Sequence, residues 1–403
     1  ESRKSQQLTI EREGDQWVIA SHNNYPADAK GAKERIEDVA IRLMDLEVLG
    51  VASELAEDHA LFGVVEPPTE GAAVEADDKN IGLLVGLKDD QGGTLARLII
   101  GKEVRDEQSG VVRRFVRKAG EPTIYTAKID TNALQSQFSD WVDSDLLQVK
   151  GADIRRVTLE NYSTRVVPTE ADERTLGFSQ RFTMIVDWDE EQWQLVEMVE
   201  RRGDRLVPAK LTESEELNSQ RLDKLRDTLG SLKIVGVSRK PRELTAGVNS
   251  DKDLAKEPRL APLLAEKGFY QMEGELRSSE GELRFQTDDA VEYILRFGQG
   301  AGLEFTADNE SKLPRYLLVS ARVAEEQLDA AAQDDELDRR RAAAQKRVDE
   351  LNERFIDWYY IIPEDTYKKL RLGRFDLIKE KEGASFGPDQ LRELDELPEP
   401  GGN

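Results

Sequence analysis

Four short words occur twice in this chain, in the same order. Leu8-Thr9-Ile10-Glu11 is answered by Val157-Thr158-Leu159-Glu160, and Gln16-Trp17 by Gln192-Trp193. Leu55-Ala56-x-x-x-Ala60-x-x-Gly63 returns as Leu260-Ala261-x-x-x-Ala265-x-x-Gly268, and Phe138-x-Asp140-Trp141 as Phe355-x-Asp357-Trp358. Matches in register order, two of them carrying Trp, point to a diverged tandem duplication, which constrains architecture more than any local propensity. The expectation is two homologous modules, residues 1–150 and 151–382, followed by a disordered acidic tail over 383–403. The repeated residues are apolar plugs and helix stops: Trp17, Gly63 and Trp141 in the first copy, Trp193, Gly268 and Trp358 in the second. These are structural anchors rather than reactive groups.

Each copy reads as strands, then two helices, then strands again, an α+β unit with helices packed on one face of an antiparallel sheet. In the first copy, residues 8–20 alternate around the turn Gly14-Asp15 and predict a hairpin. Ile36, Val39, Ala40, Leu43 and Leu46 follow helical spacing after Pro26-Ala27-Asp28, and Gly50 is read as the stop. Ser53 is placed to cap a second, short helix that Gly63 ends. Residues 81–87, 94–100, 111–116 and 124–129 are β-rich and parted by turn residues, a meander. The second copy repeats the plan with Leu222, Leu225, Leu229 and Leu232 as its helix stripe, and strands near 157–162, 182–186, 193–198, 269–272, 282–286, 293–297 and 316–319. One insertion, 323–355, carries no Gly or Pro and repeats Val323, Ala330, Leu337, Ala344 and Leu351 every seven residues. As one helix it would be about 45 Å long. It either lies on its own module or projects as an arm that docks another protein.

The 57 Lys and Arg against 81 Asp and Glu leave a formal charge of −24. Such a surface repels phosphate backbones and anionic lipid, so nucleic acid is not an expected partner. The run Arg339-Arg340-Arg341 lies among Asp334, Asp335, Glu336 and Asp338 and reads as an ion-paired helix face. There is no cysteine, which removes disulfides, thiolate metal sites and thiol catalysis together. No stretch approaches the roughly 20 apolar residues of a membrane span.

Little in the chain reads as chemistry, and neither a cofactor nor a metal is expected. His22 and His59 are its two imidazoles, too few for a histidine-rich zinc site. Gly298-Gln299-Gly300-Ala301-Gly302 lacks the Lys-Ser/Thr ending of a phosphate loop and reads as a strand-end turn. Asp187, Asp189, Glu190 and Glu191 crowd beside Trp188 and Trp193, a pattern open to glycoside hydrolysis or calcium binding. The first copy has Glu13 and Asp15 before its own Trp17, so ordinary hairpin-turn composition is the favoured account. Aromatic rings could also stack on sugars, but their repetition at matching places fits core plugs better.

The hairpin with Gln16-Trp17, Pro26-Ala27-Asp28, the amphipathic helix, Leu55 to Gly63 followed by Pro67-Pro68, and the meander containing Ile99-Ile100-Gly101 together resemble the domain-of-unknown-function 4340 family. Asp140-Trp141-Val142-Asp143-Ser144-Asp145-Leu146-Leu147, followed by Asp153-Ile154, is similar to that family's closing segment. The resemblance implies a bacterial, exported, periplasmic protein anchored to the cytoplasmic membrane by a segment preceding Glu1. It implies partnership with ABC transport systems of the gliding-motility type and no established catalytic residues. The expected function is therefore a non-enzymatic accessory domain that binds protein partners, with 323–355 as the candidate contact. An envelope-polysaccharide-binding module and a carboxylate hydrolase are the alternatives.

Overall fold

Two glycine pairs set the frame of the fold. Gly63 (φ +69°) and Gly268 (φ +83°) end short helices in the left-handed conformation that glycine adopts at little cost. Behind each stands a second glycine on a strand. A Cβ at Gly101 would lie 2.5 Å from the Phe62 carbonyl oxygen, and one at Gly298 would press on the Lys267 carbonyl oxygen. Phe62 and Lys267 each directly precede a helix-stop glycine. The same close approach of helix end to sheet is thus built twice.

The structure, a computed structural model, describes residues 2–4, 7–68, 73–75, 79–105, 112–132, 134, 136–143, 145–168, 174–245, 251–301, 313–328 and 334–381. The expected tail, 383–403, lies outside the described residues. The chain divides into two compact units, Glu1–Asp143 and Ser144–Asn403.

A strand at Ser2–Lys4, paired with Ala73–Glu75, precedes the first unit's three-stranded sheet, β1 (Ile10–Glu13), β2 (Gln16–Ile19) and β3 (Tyr25–Pro26). Helix α1 (Gly31–Met44) follows, then β4 (Glu47–Ser53), the short α2 (His59–Phe62), and the meander β5 (Leu83–Lys88), β6 (Thr94–Arg105), β7 (Val112–Lys118) and β8 (Ile124–Lys128). The five-stranded sheet has the order β4-β8-β7-β6-β5. Val39 and Leu43 of α1 are buried with Ile100, Val116 and Ala127 of the sheet, as the apolar stripe requires. The helix ends at Met44, not at Gly50. Gly50 lies inside β4 opposite Thr126, so a strand runs over 47–53 where the helix was expected to continue to its stop at Gly50.

The second unit opens with β9 (Ile154–Pro168), β10 (Arg174–Asp189), β11 (Gln192–Arg202) and β12 (Arg205–Pro208). Next come α3 (Ser219–Leu229), β13 (Gly236–Arg239), α4 (Arg242–Thr245), α5 (Asp251–Lys256) and α6 (Ala261–Ala265). The ribbon β14 (Phe269–Met272) and β15 (Glu275–Ser278) leads into β16 (Glu282–Thr287), β17 (Val291–Gly300) and β18 (Arg315–Val323). Then come α7 (Glu325–Leu328), α8 (Asp334–Phe355), β19 (Trp358–Ile362) and α9 (Glu364–Leu370), followed by a short helix at Arg374–Leu377 and a strand at Ile378–Glu380 that pairs with Glu215–Leu217. Nine strands form one antiparallel sheet in the order β12-β11-β10-β9-β16-β17-β18-β19-β13.

Five of those nine, β13-β19-β18-β17-β16, repeat the first unit's order β4-β8-β7-β6-β5 in the same chain sequence. The Trp-bearing strands also match: β2 lies between β1 and β3, as β11 lies between β10 and β12. Pro26 pairs with Val18 of β2, and Pro208 with Val199 of β11. The added strand β9 pairs with both β10 and β16, and so joins the two smaller sheets into one.

Two of the four repeated words occupy matching places, the Gln-Trp word and the word ending in Gly63 or Gly268. The other two do not. Leu8–Glu11 leads directly into the Trp17 hairpin, whereas Val157–Glu160 lies on β9, a whole strand earlier. Phe138 begins a 3-10 turn after the last strand, whereas Phe355 ends α8 and Trp358 begins β19.

Alternation splits the nine-stranded sheet into two faces. Val157, Leu159, Leu283, Phe285, Tyr293, Leu295 and Val319 are buried on one face, with Phe285 and Tyr293 stacked at 4.7 Å. Helix α8 packs on this side, and Asn352 brackets the Ala321 backbone, accepting from its N–H at 2.9 Å and donating to its C=O at 2.8 Å. On the opposite face Tyr316, Leu318, Tyr359 and Ile361 form a second core with α4, α5, α6 and the β14–β15 ribbon.

Candidate interaction surface

The heptad column does not form one protruding helix. Val323 is the last residue of β18, and Ala330 lies outside the described residues. Leu337, Ala344 and Leu351 belong to α8, but the column turns inward. Ala344 and Leu351 are buried, and Ala344 packs with Ala290, Leu328, Val323 and Leu337 of the same unit. The seven-residue spacing ran on across a strand end, where a strand residue and a helix residue share one core. Outward, α8 shows charge, including Arg341, which pairs with Glu325 at 2.7 Å.

The tryptophans are packed. Trp141, Trp193 and Trp358 are buried and Trp17 is half-buried. Trp188 stands directly across the hairpin from Trp193, edge to face at 5.2 Å. Arg226 of α3 covers the Trp188 ring at 4.1 Å, and the Trp193 indole N–H donates to Asp223 of α3 at 3.0 Å. An open depression lined by Ala152, Trp188, Glu191, Arg226 and Asp227 adjoins this lock. One stacking face of Trp188 is thus taken by the chain's own guanidinium.

The carboxylate cluster is dispersed. Arg156 donates to both oxygens of Asp187, at 2.7 and 2.9 Å. Glu190 (φ +46°) and Glu191 (φ +61°) form the tight hairpin turn and, with Asp189, are exposed. Asp187 instead begins a ladder of alternating charge on the polar half of the sheet face, running through Arg156, Gln286, Glu292 and Arg322. A parallel row holds Glu160, Glu282 and Arg296, and Arg284 reaches both Glu160 and Glu282. Such pairs satisfy charges that burial would otherwise penalise heavily. Burial pushes the Tyr162 hydroxyl up to about 12, and it donates to Glu282 at 3.2 Å.

Both imidazoles have close partners, and His22 Nδ1 lies 3.0 Å from the Ser21 hydroxyl oxygen. His22 stacks on Phe138 at 4.6 Å, and His59 Nε2 lies 2.9 Å from the Pro122 carbonyl oxygen. Among the described residues no group of three or more His, Cys, Asp or Glu could hold a metal ion. Nor is any helix among them long and apolar enough to cross a membrane.

One surface departs from this satisfied pattern, and sequence reading missed it. Seven of the large exposed apolar residues fall between positions 41 and 61: Ile41, Met44, Val48, Leu49, Val51, Leu55 and Leu61. Met44 is 82% exposed. They follow the end of α1, the length of β4 and the start of α2. Isolated exposed apolar groups are ordinary, but a run of them marks contact sites. Among the described residues strand β4 pairs on one side alone, with β8, and its other backbone edge has no strand beside it. Relative to β8 it carries two extra residues, Leu49 and Ala52, as bulges. Each bulge resets the alternation of side chains. The signal was present as Val48-Leu49-Gly50-Val51, a β-branched run hidden by the helical stripe before it.

A family model described as "Domain of unknown function (DUF4340)" matches residues 17–256, from β2 to the end of α5. No curated protein and no solved structure matches the chain.

Proposed function

We propose that this chain, which belongs to the DUF4340 family, is a non-enzymatic domain that binds protein partners within an ABC-type transport or cell-envelope complex. Its place is outside the cytoplasmic membrane, as the family resemblance of the Trp17-to-Gly101 region implies. The observation that carries the binding reading is the run of exposed apolar side chains over positions 41–61. Exposed apolar area on a chain of charge −24 is costly to leave wet and gains free energy when a partner covers it.

The alternatives draw less support. Sugar stacking needs a free aromatic face, and Arg226 occupies one face of Trp188. Glycoside hydrolysis needs two carboxyls facing one substrate. Asp187 is engaged by Arg156 instead, and Glu190 and Glu191 sit at a turn. The test is affinity capture of the full chain from native membranes after mild cross-linking. Subunits of an ABC-type transporter or envelope complex are expected to be enriched over a control protein of equal charge. Their absence from repeated captures refutes the reading.

A further inference from the structure

We propose that β4 accepts an added strand from its partner: an extended segment of alternating apolar residues bounded on both sides by Lys or Arg. This deepens the partner-binding reading and rests on it, since it names the element and the chemistry through which the partner is held.

Among the described residues β4 has one unpaired edge. A strand with an unpaired row of N–H and C=O groups is a template for another strand, and natural sheets blunt such edges with Lys, Pro or short length. The two units share a strand order, so their corresponding edges can be compared. In the second unit the edge strand β13 has four residues, its Gly236 and Val237 are buried, and Pro241 follows just past its end. In the first unit β4 has seven residues, and Val48, Leu49 and Val51 are all more than two-fifths exposed. It contains neither Lys nor Pro. At about 3.3 Å per residue it offers an edge of roughly 23 Å, enough for a six- or seven-residue segment.

Charge points the same way. Exposed Asp45 and Glu47 flank the apolar run on one side, and exposed Glu54 and Glu57 on the other. Asp58, at the same end, accepts from the Ser53 hydroxyl at 2.5 Å. The nearby cations are mostly committed. Arg42 is held by Asp38 at 2.8 Å and Asp130 at 3.1 Å, and Lys128 stands opposite Glu47 across the ladder. An apolar strip with an acidic patch at each end complements a segment with basic ends.

The same features select against a second copy of this chain. Two β4 edges pairing antiparallel about Gly50 would bring Glu47 of each onto the Ser53-Glu54 end of the other, acid against acid. The bulges at Leu49 and Ala52 add twist that a second rigid sheet edge would have to match, whereas a single extended peptide can follow it.

The test is panning of a random 12-residue peptide library, displayed on phage, against the full chain. Enriched peptides are expected to carry alternating apolar residues between Lys or Arg. Binding of the synthetic winners should fall about tenfold or more when their basic ends become Glu. Val51→Lys and Val48→Lys should each cause a similar fall; both positions are exposed, so the unit stays folded, which unchanged hydrogen exchange in β8 would verify. N-methylation of every second residue of a winner should abolish binding in one phase and spare it in the other, the signature of ladder pairing. No enrichment, equal binding by Glu-ended peptides, equal binding by both Lys variants, or indifference to N-methylation phase overturns the proposal. Membrane capture separates the two readings. If Val51→Lys retains the same transporter subunits as the unaltered chain, strand addition fails and the accessory reading stands. If the peptides behave as expected but no subunit is captured, the accessory reading fails alone.

Discussion

The close approach of helix end to strand can be tested by replacing Gly268 with Ala. Two costs add. Gly268 sits at φ +83°, where an L side chain costs about 1–2 kcal/mol. Its new Cβ would lie 2.5 Å from the Gln299 backbone nitrogen and 2.7 Å from Ser279 Oγ. Backbone and a buried hydroxyl cannot yield as a flexible side-chain end would, so overpacking adds about 1–3 kcal/mol. The expected loss is about 2–5 kcal/mol. Gly274 is the control. It has φ +78° in the β14–β15 turn with nothing within 4 Å of a built Cβ, so Gly274→Ala carries the backbone cost alone, about 1–2 kcal/mol. With two units present, unfolding of the chain need not be one transition. Hydrogen exchange of β14, β16 and β17 amides in rising urea, read by mass spectrometry, reports the second unit directly. Equal losses for the two variants would refute the close approach. The similar geometry of the first unit makes a matching demand: Gly101→Ala, whose Cβ would meet Phe62 O at 2.5 Å and Val64 Cγ1 at 2.6 Å, should loosen β6 and β7.

Arg226→Ala should release α3 from the Trp188–Trp193 hairpin at a cost of about 1–2 kcal/mol, seen as faster α3 exchange and altered indole emission. Arg226→Lys should restore only part of it, because the planar guanidinium is lost; full restoration would show that charge alone matters. Burial holds the hydroxyls of Tyr162 and Tyr293 up to about 12, against 10 in an unfolded chain. Their neutral forms favour the fold, so this contribution is complete below pH 10 and is lost as pH rises from 10 toward 12. Phenolate absorbance of the native protein should rise in two stages, with Tyr162→Phe reducing the later one. A single rise near pH 10 would refute the burial argument.

Legibility along the chain followed locality. The meander β5–β8 could be read because its turns are marked by Asp89 to Gly93 and its strands by β-branched runs. The α3 stripe could be read from the spacing of Leu222, Leu225 and Leu229, all buried. What escaped depended on partners distant in sequence. Strand β4 follows α1 after two residues, and nothing local marks the change of period. Gly50 looked like a helix stop because glycine often is one, yet it lies on a strand opposite Thr126. The heptad from Val323 survived a change from strand to helix because both elements bury their apolar residues in one core. The Trp188–Arg226 lock joins a hairpin to a helix, and no spacing rule connects them.

The two units also show why a contact surface is harder to read than a core. A core residue announces itself by period, because its neighbours along the same element must point the same way. An exposed edge obeys no such rule, and Val48, Leu49 and Val51 look in sequence like any buried strand. Comparing the two units is what makes them informative. The second unit keeps its edge strand to four residues and follows it with Pro241. The first unit has neither device at the corresponding place. Folding gives no evident reason to leave Val48, Leu49 and Val51 wet in one unit while the corresponding strand of the other is short and partly buried. Under the strand-addition proposal, the difference belongs to binding. If blunting β4 by Val51→Lys left every interaction of the chain unchanged, the open edge would be an accident of divergence, and contact would have to lie elsewhere on the surface.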